Sequence, residues 1–155
     1  MSITISLYEN LARYKRNQTD GLTEIVQQAL AIPELVAEVL TFVRHHQANV
    51  AVRAMWVIRQ IADTAPEHLA AHTQQILGLL PEAHLWEVKA ELCHILPVLP
   101  LTKKQAESAI AFFKTCQSDA SKIVRAWSLN GLHELSKSVP GIRPLVIDLL
   151  QQALQ

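Results

Sequence analysis

Three stretches of this chain carry the same apolar spacing, and that repetition restricts it to an arrangement of stacked helices. Counting from Val124, small or apolar residues fall at +4, +7, +8 and +11, as Ser128, Gly131, Leu132 and Leu135. From Val88 the same offsets hold Leu92, Ile95, Leu96 and Leu99, and from Val50 they hold Ala54, Val57, Ile58 and Ile61. A truncated copy starts at Leu22 with Val26, Ala29 and Leu30, and the four origins lie 28, 38 and 36 residues apart. Steps of three and four gather these residues onto one stripe of an α-helix, because each residue turns the helix by about 100°. A unit of this length buries its stripe only by stacking on the next copy.

Between the copies run helices with stripes of their own. One holds Leu35, Val36, Val39, Leu40 and Val43, and the next Leu69, Thr73, Ile76, Leu77 and Leu80. Ala106, Ala109, Ile110 and Phe113 follow, then Leu145, Val146, Leu149 and Leu150. With only four glycines and no Gly/Ser linker or charge block, the chain reads as a single all-α domain over residues 1–155. Helix starts are expected where a hydroxyl precedes Glu or Gln by three, at Ser6/Glu9, Thr64/Glu67 and Thr102/Gln105; there the side chains satisfy free backbone donors. Asp20, Asn49 and Asp119 stand at further N-cap positions. Prolines 33, 66, 81, 100, 140 and 144 mark breaks or first turns.

The run Asp119-Ala-Ser-Lys-Ile-Val124-Arg125, an acidic residue and then a Val-Arg step before small and apolar residues at the offsets above, resembles the HEAT-repeat family of α-solenoids. Glu87-Val88-Lys89 is a second copy, and in the copy at Val50 the arginine slot holds Ala51. The resemblance implies a right-handed α-α superhelix of three to four helix pairs whose second helices line a concave surface. It also implies that Arg125 bonds toward Asp119 or a preceding carbonyl in a ladder between repeats.

Opposite the apolar stripe lie offsets +2, +6 and +9. They read Val52, Ala90 and Ala126, then Trp56, His94 and Asn130, then Arg59, Pro97 and His133. Small residues flanked by Trp56, Arg59, His94, Asn130 and His133 suit a protein or peptide partner, the aromatic supplying area and the polar groups orientation. Trp127, at +3, is expected to pack between repeats, and Trp86 to stand at the groove's edge.

The function expected is therefore a non-enzymatic protein-binding scaffold or adaptor. The alternative is a DNA-binding or DNA-alkylation-repair-like HEAT protein, supported by the three tryptophans and the cation clusters at Arg13/Arg16 and Lys103/Lys104. Against it, 14 basic residues balance 14 acidic ones, and phosphate binding asks for a coherent basic stripe. No GxSxG, HExxH, GxGxxG or P-loop pattern occurs, and no cofactor is expected. His68 and His72, four apart, have no third ligand for a metal in view. His133-Glu134 is similar to the repeated His-Glu pairs of a di-iron HEAT-repeat hydroxylase, but the dyad stands here once, so its iron set is not carried over. Cys93 and Cys116 form no CxxC and carry no sign of activation. With no apolar leader and no membrane-length apolar run, the expected setting is cytoplasmic, with reduced thiols. The last helix, residues 145–154, has no successor to cover it and is a candidate homodimer surface.

Overall fold

The computed structural model describes residues 3–13 and 21–155, with side chains described from residue 7 onward. Among the described residues there are nine α-helices and no strand. They are α1 (Ile3–Arg13), α2 (Leu22–Ala31), α3 (Glu34–Phe42), α4 (Ala48–Thr64), α5 (Thr73–Leu77), α6 (Trp86–Ile95), α7 (Lys103–Cys116), α8 (Lys122–Ser138) and α9 (Arg143–Ala153). Short 3-10 turns fill several of the gaps.

Packing follows the two sets of stripes. Helices α2, α4, α6 and α8 touch in succession and form one row, while α3, α5 and α7 touch in succession and form a second. The rows meet through α3 on α4 and α7 on α8, α9 closes onto α8, and α1 lies against α4. Every stripe residue of the three full copies is buried, as are Leu35, Val36, Val39 and Leu40 of α3 and Val43 at its C-cap. Each fully buried Val, Leu or Ile contributes about 1.5–3 kcal/mol, so these stripes hold the rows together. Ser128, the polar member, is also buried, and its hydroxyl donates to the Arg125 carbonyl at 2.7 Å. A hydroxyl satisfied within its own helix is tolerated in a core.

Two local departures shape the row of α6 and α8. Pro97 has no N–H to give to the Cys93 carbonyl, so α6 stops at Ile95 and a 3-10 turn, Leu96–Val98, takes over. That carbonyl lies hard against Gly131 of α8. A Cβ there would stand 2.8 Å from Cys93 O and 2.5 Å from a Phe113 ring carbon, so only glycine lets α8 close on α6 and α7. A buried arginine ties α1 down: Arg53 Nη1 donates to the Leu11 carbonyl at 2.7 Å, while its Nε and Nη2 find no partner among the described residues. Burial lowers its pKa from the ordinary value.

Some expectations are corrected. Residues 66–72 are wound as a 3-10 helix that opens with Pro66, and only Thr73–Leu77 is α-helical. Leu69 and Ile76 still reach the core. Thr64 ends α4 rather than capping the next segment, and Asn49 lies inside α4, after Gln47 at the N-cap. Ser6 and Glu9 fall within α1, not at its start; Asp20 lies outside the described residues. Leu145 is 47% exposed, because α9 buries only the narrower stripe of Val146 and Leu149. Thr102 and Gln105 do form the reciprocal cap, at 3.2 and 2.9 Å.

Candidate functional site

Neighbouring helices of the α4–α6–α8 row are staggered, so that the +3 position of one reaches the +6 and +9 positions of the helix before it. Glu91, at +3 on α6, accepts a bond from Nη1 of Arg59, at +9 on α4, at 3.0 Å. Trp127, at +3 on α8, meets the ring of His94, at +6 on α6, in a T-shaped contact with centroids 5.1 Å apart. The Arg59 guanidinium carbon is also 5.7 Å from the Trp127 ring centre, within the range of a cation–π attraction.

Asp63 completes the cluster. Its Oδ2 accepts from Arg59 Nε, one turn back on α4, at 3.0 Å, and its Oδ1 lies 3.0 Å from His94 Nε2. His94 Nδ1 is buried with no partner among the described residues. The tautomer that suits this geometry has Nε2–H donating to Asp63 and a bare lone pair at Nδ1, since a lost donor bond costs more. Burial pushes the Glu91 carboxyl above its ordinary value, against the opposing pull of Arg59.

The five residues read from the sequence fall into two groups. Trp56 packs half-buried against the core. The Arg59 and His94 side chains are 22% and 25% exposed, and both are engaged by the next helix. Asn130 and His133 are exposed on α8. Asn130 and His94 share a depression of about 460 Å³, lined also by Pro97, Val98, Glu134 and Lys137. His133 stands outside that lining.

Asp63 and Glu91 were missed in the sequence reading. The first had a signal, since Arg59 and Asp63 are spaced i, i+4 on one helix. The second becomes visible only once the stagger between helices is known. Arg125 donates to the carbonyls of Asp119 and Ala120, at 2.5 and 3.2 Å, and so clamps the turn before its own helix. The bond between helices is made by Lys89 instead, whose Nζ reaches Asp119 Oδ2 at 2.6 Å. That bond first, then the N–H of Ser121, hold the Asp119 carboxyl below its ordinary range. Trp86 stands 44% exposed at the start of α6.

His68 and His72 lie on the 3-10 segment. At three residues per turn, a spacing of four no longer aligns two rings on one face. Among the described residues no three His, Cys, Asp or Glu side chains converge as metal ligands, and no helix is long and apolar enough to cross a membrane. No family model, curated protein or solved structure matches the chain.

Proposed function

We propose that the chain is a non-enzymatic binding scaffold, a HEAT-like right-handed stack of helix pairs that offers a peptide or protein partner the α8 end of its groove-lining row. The observation that carries the reading is the contrast along that row. Arg59 and His94 are occupied by Asp63, Glu91 and Trp127, whereas Asn130 and His133 stand open beside a depression that His94 helps to line. An exposed amide in the wall of this hollow, with an exposed imidazole one turn further along α8, suits a segment that docks side chains and pairs its backbone.

The nucleic-acid alternative asks this face for unpaired cations. Its arginine is held between two carboxylates, which argues against phosphate binding there. The apolar side chains left open on α9, among them Leu145 and Ile147, favour self-association as a second use of the molecule. Sedimentation at rising concentration reads that use directly.

Comparative capture from the native host tests the main reading, with wild type set against the double variant Asn130→Glu, His133→Glu. A protein enriched on wild type and lost from the folded variant supports it. Equal enrichment contradicts it, and enrichment abolished by nuclease moves the assignment to the nucleic-acid alternative.

A further inference from the structure

Cys93 and Cys116 are free thiols, both buried, and they come from different helices. Lys89 and Cys93 lie one turn apart on α6, while Cys116 and Asp119 lie three residues apart across the end of α7. The 2.6 Å bond from Lys89 to Asp119 joins these pairs at one rung, which places Cys93 and Cys116 together at the next. A cavity of about 390 Å³ opens on this spot, with Lys89, Phe112, Thr115, Cys116 and Asp119 among its walls. Cys93 is not among its lining residues and is fully buried behind.

The two sulfurs are electrostatically unequal. The Cys93 thiol, and then the Lys89 ammonium, favour the thiolate at Cys116, against the opposing effects of burial and of Asp119. Cys93 is pushed up, first by Cys116 and then by burial. The arrangement is one thiol, Cys116, whose pKa is lowered and which lines the cavity, backed by a second thiol, Cys93, that does not. An inert structural cysteine lacks these features.

We propose that Cys116 and Cys93 form a peroxide-oxidisable pair, in which Cys116 is attacked at the cavity and Cys93 resolves it to an intrachain disulfide. The Cys116 thiolate attacks one oxygen of hydrogen peroxide and the O–O bond breaks. The hydroxide that leaves takes up the proton Cys116 had lost and becomes water, and Cys116 is left as a sulfenic acid. Cys93 then gives up its proton as its sulfur attacks Cys116 Sγ, the S–O bond breaks, and the departing hydroxyl leaves with that proton as a second water. Two thiols are oxidised and one peroxide is reduced.

The test treats the reduced, folded full chain with hydrogen peroxide, blocks the remaining thiols by alkylation and maps peptides without reduction. The expected result is a Cys93–Cys116 cross-link within one chain, joint loss of both alkylatable thiols, and full reversal by dithiothreitol. In Cys93→Ser, dimedone labels Cys116 as the sulfenic acid; in Cys116→Ser, Cys93 stays unoxidised and unlabelled. The proposal is overturned if both thiols survive a large excess of peroxide in the folded chain, if cross-links form only between chains, or if Cys93 is labelled first. Should either serine variant misfold by circular dichroism, the wild-type peptide map alone decides between these outcomes.

Discussion

The +6 and +9 positions of α4 and α6 carry Trp56, Arg59, His94 and Pro97, and the same positions of α8 carry Asn130 and His133. In register these two regions are equivalent, yet the fold treats them oppositely. On α4 and α6 a +3 residue of the following helix leans over Arg59 and His94, so a polar side chain there becomes a strut between helices. Among the described residues no further member of the row packs on α8, and there polar side chains of the same kind stay in solvent. In a stacked helical array, then, the offset of a residue selects its face, but its place in the stack decides whether that face is open.

Removing the cover is the most direct way to break this contrast. Trp127→Ala strips the ring from both Arg59 and His94, and we expect a loss of about 3 kcal/mol in urea unfolding. A smaller loss refutes the view that Trp127 ties the row together. Gly131→Ala comes next. Its methyl meets a backbone carbonyl that cannot retreat, and the expected cost of about 2 kcal/mol tests whether α8 depends on that close approach to α6.

A pH series sharpens the comparison at lower amplitude. Glu91 has a raised pKa in the fold, so the folded state holds its proton more tightly than the unfolded chain. Stability is therefore lost as pH climbs from the ordinary value of 4.5 through the higher folded value. Glu91→Gln should flatten this limb of the stability profile, and an unchanged slope would contradict the burial assigned to Glu91. The smallest effect is expected where the row is open: Asn130→Ala and His133→Ala should each leave stability within about 0.5 kcal/mol.

The buried stripes were legible from the sequence because helical periodicity is local, and each origin from Val50 to Val124 predicts its own face without knowledge of the others. The cover over Arg59 and His94 was not, since it depends on how far one helix slides along the next. Only the packed rows fix that slide. Two further features were hidden for the same kind of reason. Gly131 reads as one small residue among several until Pro97 is seen to end α6 at the carbonyl that Gly131 meets. Cys93 and Cys116 read as unrelated cysteines with no sign of activation until the Lys89–Asp119 bond draws the end of α7 onto α6. His68 and His72 show the converse error, in which a spacing argument assumed an α-helix where the chain winds as 3-10.

The claim that the open end of the row is a binding face is tested most directly by site-specific photo-cross-linking in the native host. A photoreactive residue is placed at Asn130 in one variant and, as a control, at exposed Glu107 on α7 of the other row. The account predicts a discrete covalent adduct with a protein at position 130 and none at position 107. Equal labelling at both positions, or no adduct at 130 from a folded chain, would contradict it.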